Sequence, residues 1–335
     1  VKILIIRFSS IGDIVLTTPV VRALKMQLRD VEIHYLTKQT FKAILENNPY
    51  IDRLFYIKND IREVITDLKT EQYDHIVDLH NNIRTLSLKR QLKSPSNSFP
   101  KLNLEKWLLV NFKWNRLPEK HVVDRYFEAV NALGVKNDHL PCEFYLSTDD
   151  HVDIRNEFGL APRQFISIAI GAQFGTKRMP FHKLIEIIEL TEFPIILVGG
   201  VTDVEIAQQI TNHFTDKKAV FSACGKYSLG KSASIVKQSA CLLSNDTGMM
   251  HIAACFGLPV VSVWGNTVPA LGMFPYYPGQ LELYSIHEVE GLKCRPCSKI
   301  GFQECPKKHF DCMNLQNTSK IAADLNARVG LILQE

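Results

Sequence analysis

Short apolar runs rich in Ile, Leu and Val recur along the chain, and between them apolar residues fall at helical spacing. Runs without polar alternation suit strands buried on both faces, and their alternation with helix-period stretches is the signature of βαβ units in an α/β protein. Two such series are legible. The first predicts strands near 2–7, 31–36, 53–57 and 75–79 and helices near 13–28, 39–46, 61–68 and 81–92. It closes with a long helical passage, 104–133, broken near Leu117-Pro118. The second predicts strands near 165–170, 194–198, 218–221, 241–244 and 259–264, helices near 181–190, 203–214, 229–238 and 247–256, and a last amphipathic helix over 318–333. Between the series, 147–163 holds a charged stretch and Gly159-Leu160-Ala161-Pro162, a hinge composition. The expected domains are therefore 1–155 and 156–335, with the last helix a candidate to pack back on the first. Doubly wound halves bind ligands at the carboxyl ends of their strands, which points to a cleft between the domains.

Composition narrows the class. At 335 residues, with 46% hydrophobic and 22% charged, the chain can bury two cores, which excludes disorder and fibrous architectures. No apolar run approaches the roughly 18–20 residues of a membrane span. The first residues, Val-Lys-Ile-Leu-Ile-Ile-Arg, run into a Gly turn without the apolar core of a signal peptide, so a cytoplasmic protein is expected. A net charge of +4 is too small to argue for nucleic acid. It is unevenly spread: from Arg84 to Arg125 there are ten Lys or Arg against three acids.

Of eight cysteines, Cys142, Cys224, Cys241 and Cys255 lie in apolar segments, whereas Cys294, Cys297, Cys305 and Cys312 crowd together. In a cytosolic chain that crowding favours metal over disulfide, and Cys294-X2-Cys297 is a knuckle for one structural zinc. The later spacings are not those of a standard finger or ribbon, so zinc, free thiols and disulfides stay open.

Three turns carry candidate chemistry. Ser9-Ser10-Ile11-Gly12-Asp13 follows the first strand; Gly12 permits a tight turn, and Asp13 is either a helix cap or a carboxylate placed to take a proton from a substrate hydroxyl. Ser244-Asn245-Asp246-Thr247-Gly248-Met249-Met250-His251 follows a buried strand and opens a helix, so backbone N–H groups and the helix dipole create an anion site there. His251 falls one turn after Thr247 on the same face. Gly171 to Pro180 supplies small residues with Lys177 and Arg178 to neutralise a diphosphate, and the next turn offers Glu205 for ribose hydroxyls. None of the 17 aspartates is spaced i, i+2, so no Asp-X-Asp metal clamp exists. Phosphate-loop and Gly-X-Gly-X-X-Gly fingerprints are missing too, against a kinase or dehydrogenase.

Together, Ser9 to Pro19, Lys177-Arg178-Met179-Pro180 and Asn245 to Ala254, followed by Gly257 to Thr267, resemble glycosyltransferase family 9, the ADP-heptose:lipopolysaccharide heptosyltransferases and their relatives. The resemblance implies a GT-B fold, two Rossmann-like domains facing across a cleft, with the acceptor on the first and a nucleotide sugar on the second. It implies inverting transfer without a metal cofactor. Asp13 matches the family's general base, Lys177 the lysine on the donor phosphates, and Thr247 and Gly248 the diphosphate loop shaped by Asp246 and His251. Glu205 matches the acid that holds the donor ribose. Ser10 and Gly12, with His121 and Arg125 of His121-Val122-Val123-Asp124-Arg125-Tyr126, become acceptor-binding candidates. Met179 departs from the family's aromatic, which leaves Lys177 intact but puts any stacking role of that position in doubt.

The function so implied is transfer of heptose from ADP-heptose to a phosphorylated, lipid-linked lipopolysaccharide inner-core acceptor. Trp107, Leu108, Leu109, Val110, Phe112 and Trp114, interleaved with Lys101, Lys106, Lys113 and Arg116, are either a core helix with a basic face or a contact with the cytoplasmic face of the inner membrane. Another nucleotide sugar, a hydrolysing epimerase and a non-catalytic sugar-nucleotide binder remain as alternatives.

Overall fold

The first strand, β1 (Lys2–Ile6), is apolar from Ile3 to Ile6, and all four side chains are fully buried, as a central parallel strand requires. After it come α1 (Ile11–Val15), α2 (Thr18–Gln27), β2 (Glu32–Lys38), β3 (Arg53–Ile57), α3 (Ile65–Thr70), β4 (His75–Asp78), α4 (Ile83–Leu92) and β5 (Ser96–Ser98). These strands form one parallel sheet in the order β3-β2-β1-β4-β5. The next helix, α5 (Asn103–Phe112), belongs to the second unit, and α6 (Val122–Phe127) returns to the first. This computed structural model describes residues 1–332.

In the second unit α7 (Ile154–Phe158) leads into β6 (Ile166–Ala169), α8 (Phe181–Leu190), β7 (Ile195–Val198), α9 (Val204–His213), β8 (Val220–Ser222) and α10 (Leu229–Lys237). Then follow β9 (Cys241–Asn245), α11 (Gly248–Cys255), β10 (Val260–Trp264), β11 (Tyr284–Glu288), α12 (Asp311–Asn314) and α13 (Thr318–Ile332). Its six strands are parallel in the order β11-β10-β9-β6-β7-β8. In each sheet the first strand, β1 or β6, lies where the strand order reverses direction. The loops leaving these two strands therefore stand at the position where open α/β sheets bind ligands.

Several expectations shift. The compact units comprise Val1–Leu102 with Glu119–Tyr145, and Asn103–Pro118 with the chain from Leu146, so the boundary falls about ten residues before the expected 155 and α5 changes sides. Residues 13–28 make two helices, because the Thr17 and Thr18 hydroxyls donate back to Ile14 O and Val15 O and Pro19 brings no N–H to the start of α2. Gln39–Ile44 is a 3-10 helix, and the passage 104–133 is helical only in α5, α6 and the single turn Asn131–Leu133. Strands β5 and β11 escaped the pattern since both are sheet edges with polar, half-exposed sequences, SNS and YSIHE. The last helix buries Ile321, Leu325 and Val329 in the second unit's own core against α8, and Asp324 binds His287 of β11 at 3.0 Å. The expected terminal residue of that helix, Leu333, lies outside the described residues.

Candidate catalytic and donor sites

At the end of β1 the chain places Asp13 at the third position of α1, where Ser10 caps the helix. The Ser10 N–H and hydroxyl both donate to Asp13 Oδ2, at 3.1 and 2.8 Å. The other oxygen, Oδ1, meets Arg7 Nη2 at 2.5 Å. Arg7 is itself fixed, donating through Nη1 to Leu79 O and through Nε to Ser9 O, with its guanidinium over the Tyr126 ring. Burial pushes the Asp13 carboxyl upward, but the Arg7 charge and the Ser10 hydrogen bonds outweigh it and leave the pKa below the usual carboxylate value. A carboxylate offers about four lone-pair positions. Three are taken here, and the fourth is on Oδ1, in a side chain that remains 23% exposed.

Beside this pair lies His80, its ring 5.0 Å from that of Phe8. Burial, reinforced by Arg7 and Lys101, pushes His80 down to about 3, so it is a neutral imidazole at physiological pH. Nothing in the sequence around it, Leu79-His80-Asn81, signalled this position; only the pairing of β4 beside β1 brings it to Asp13. The acceptor candidates divide. Ser10 and Gly12 sit in the Asp13 turn, whereas His121 and Arg125 are buried, His121 capping α6 through Nδ1 and Arg125 enclosed at 2% exposure.

In the second unit the loop after β6 carries Lys177 to the end of β9. Lys177 Nζ donates to Asp246 Oδ2 at 2.5 Å and to Asp246 O at 3.3 Å, and the same Oδ2 accepts from Thr267 Oγ1 at 2.8 Å. Both members of the ion pair keep some exposure, 17% and 11%. Thr247 occupies the cap position of α11 without capping it by its side chain, its hydroxyl lying instead 3.1 Å from Ser244 Oγ. Thr247 therefore does not cap the first-turn N–H groups, which begin at Gly248 at the positive end of the helix dipole. His251 is buried within α11, and Met179 is a core residue, so neither offers a stacking surface.

The chain as a whole has counterparts among known proteins. The sequence model of glycosyltransferase family 9 (heptosyltransferase) matches residues 61–298. The chain belongs to this family. The transferase is 25% identical to lipopolysaccharide heptosyltransferase 1 of Campylobacter coli over 288 residues, covering 79% of this chain and 84% of that one. It is 24% identical to lipooligosaccharide heptosyltransferase 2 of Haemophilus influenzae, over 90% of this chain and 93% of the other. Among solved structures it resembles a family 9 glycosyl transferase from Veillonella parvula, with TM-score 0.74, 21% identity and 98% and 97% of the two chains covered. Escherichia coli ADP-heptose lipopolysaccharide heptosyltransferase II gives the same TM-score at 17% identity and 99% coverage of each chain. The fold class is accordingly GT-B.

Other placements in the transferase differ from the sequence reading. Glu205 is exposed in the first turn of α9. The buried acid of that turn is Asp203, whose Oδ2 accepts from Gly200 N–H at 2.8 Å and whose Oδ1 faces Arg178 at 3.4 Å. A Cβ on Gly171 would lie 2.2 Å from Asp203 Oδ2, so the glycine is needed for the close approach. The pattern Gly199-Gly200-X-X-Asp203 was the available signal, since an acid three residues after a turn glycine closes a capping interaction.

All eight cysteines are free in this structure. Burial, with neighbouring thiols adding to it, pushes the Cys297 and Cys312 thiols up, and among the described residues the one group of three or more ligand-type side chains with donor atoms all within 4.8 Å is Glu32, His34 and Glu71. The four thiols do not meet that spacing. The acids of the other group are taken by Lys2 and Arg53.

What the cysteine loop does is clasp the loops that carry Lys177 and Thr267. Thr176 exchanges hydrogen bonds with Phe302, and Arg295 donates to Gly265 O and Thr267 O, next to the hydroxyl that holds Asp246. Gly175 makes this possible, because a Cβ there would stand 2.1 Å from Gln303 O. Gly175→Ala is expected to cost about 1–3 kcal/mol of stability through overpacking. It should also weaken ADP binding by displacing Lys177; thermal unfolding and calorimetry read the two effects.

Proposed function

We propose that this transferase moves heptose from ADP-heptose to the inner core of lipopolysaccharide, inverting the anomeric carbon and using no metal in the step. The observation that carries the reading is the partly exposed Lys177 ammonium, held by Asp246 beside the start of α11, where Thr247 makes no side-chain cap: a side-chain cation and a helix N-terminus meet there. Lys177 there takes the part a divalent ion plays in metal-dependent transfer. The names of the relatives support heptose as the sugar and lipopolysaccharide as the acceptor.

In the proposed step an acceptor hydroxyl donates to the free position on Asp13 Oδ1. Its oxygen bonds to the anomeric carbon from the face opposite the nucleotide, the hydroxyl proton passes to Asp13, and the bond from that carbon to the diphosphate oxygen breaks. ADP leaves with the bonding electrons, its charge met by Lys177 and the first-turn N–H groups of α11. Arg7 and Ser10 hold the carboxylate in one orientation and keep it ionised between turnovers. Asp203 and Arg178, in the loops that follow β7 and β6, are assigned to the nucleoside end of the donor, a role the exposed Glu205 shares. A nucleotide sugar as donor puts the reaction on the cytoplasmic side of the inner membrane; among the described residues no helix is long and apolar enough to cross a membrane.

Calorimetric titration with ADP, UDP, GDP and CDP, with and without EDTA, tests the donor half. Selective ADP binding that EDTA leaves unchanged is the expected result. Preference for another base would discard heptose, and no binding by any of the four would remove the donor assignment.

A further inference from the structure

Helix α5 is folded inside out. Its exposed positions are 103, 104, 107, 111 and 112, lying along one side of the helix, and three of the five are Leu104, Trp107 and Phe112, exposed by 64%, 52% and 53%. Trp114 continues the face at 62% exposure. The three aromatic rings cluster, with centroids 5.2 Å apart for Trp107 and Phe112 and 5.8 Å for Phe112 and Trp114. Such an outward aromatic patch is what monomeric soluble proteins avoid unless something covers it.

The helix is held in that pose from behind. Leu109 is buried, and Lys113 Nζ donates to Pro296 O at 2.7 Å, docking the end of α5 on the cysteine loop. Between helix and loop runs a groove of about 670 Å³, with Leu104, Trp107, Val110 and Phe302 supplying apolar wall and Lys106 and Lys299 supplying charge. Ile300 adds a further exposed apolar side chain at 53%. Around the patch the sequence is cationic: residues 101–120 hold five Lys or Arg against two Glu, and residues 292–309 hold five against one.

We infer that this face, α5 with the tip of the cysteine loop, is a docking surface for a bilayer bearing anionic headgroups. Trp and Phe supply rings suited to the headgroup boundary, the groove admits part of an acyl chain, and the surrounding cations meet lipid phosphates. Charge decides against a second copy of the chain as the occupant. A symmetric dimer through this face would bring each cationic rim against its own image. The inference does not depend on the identity of donor or acceptor, because vesicle binding is read without transfer.

The test is co-sedimentation of the full chain with phosphatidylcholine vesicles, with and without phosphatidylglycerol, together with tryptophan emission. Expected is partition onto the anionic vesicles at least tenfold above the neutral ones, falling with salt and accompanied by a blue shift. Trp107→Ser, Phe112→Ser and Trp114→Ser combined should lower partition at least tenfold, and Arg116→Glu with Lys299→Glu should lower it while leaving neutral-vesicle binding unchanged. All five side chains are exposed, and unchanged thermal unfolding and ADP binding would show the variants to be folded. Equal binding to neutral vesicles, wild-type partition by both variants, or a solution dimer abolished by the aromatic substitutions would each overturn the inference.

Discussion

Asp13→Asn is expected to lower kcat for transfer by roughly 10²- to 10⁴-fold, the usual worth of a positioned base, while the Kd for ADP stays within about twofold. Asn is the informative replacement. Ala would leave Arg7, 7% exposed, without its partner and confound loss of catalysis with loss of fold, whereas Asn keeps the shape and an acceptor for Ser10 or Arg7. The pH profile gives a second reading. Because the Asp13 pKa lies below its ordinary 3.8, protonation of this group should impose no acid limb on the rate between about pH 5 and 8. Arg7→Met removes the cation that holds it down, burial then raises the pKa, and the rate should fall as pH drops through the new value. A pH profile of Arg7→Met parallel to that of the wild type would sink the assignment. The stability effect has the matching sign. A depressed carboxylate pKa stabilises the fold above the unfolded-state value of about 3.9 and loses that contribution as pH falls through the folded one.

Lys177→Ala should weaken ADP binding by roughly ten- to a hundredfold, the range of a charge-assisted hydrogen bond of about 1.5–3 kcal/mol. It should reduce kcat as well, because charge grows on the leaving diphosphate; loss of one such donor costs about 10²- to 10³-fold. The substitution leaves Asp246 holding only the Thr267 hydroxyl among the two side chains that now share its Oδ2. The split between Kd and kcat is decisive: a purely structural lysine would change both through lowered stability, which thermal unfolding detects. Unchanged kcat with normal ADP affinity would remove Lys177 from the donor site.

The sequence exposed those parts whose chemistry is local. The helix starts near Gly12 and at Gly248 follow from neighbouring residues, and so do the central strands, whose apolar runs admit no other burial. Edge strands β5 and β11 were illegible because half-exposed strands carry no apolar run. The same limit explains Glu205 and Asp203. Both are acids in one helix turn, and only the pose of that turn against Gly171 and Gly199 decides which is buried.

By itself, then, the sequence determined two doubly wound α/β halves, the family, and the turns that carry Asp13, Lys177 and Asp246, since periodicity and turn chemistry act over a few residues. Tertiary structure alone decided that Arg7 depresses the Asp13 pKa, that His80 lies beside them, and that Thr267 joins Lys177 on Asp246. It also decided that α5 docks on the cysteine loop, about 180 residues away in sequence, with its aromatic side chains exposed, as the Lys113–Pro296 bond and the exposure of Trp107 and Phe112 show. These are long-range pairings set by strand order and loop docking, and no pattern of spacing along a chain encodes which distant side chain fills a given position.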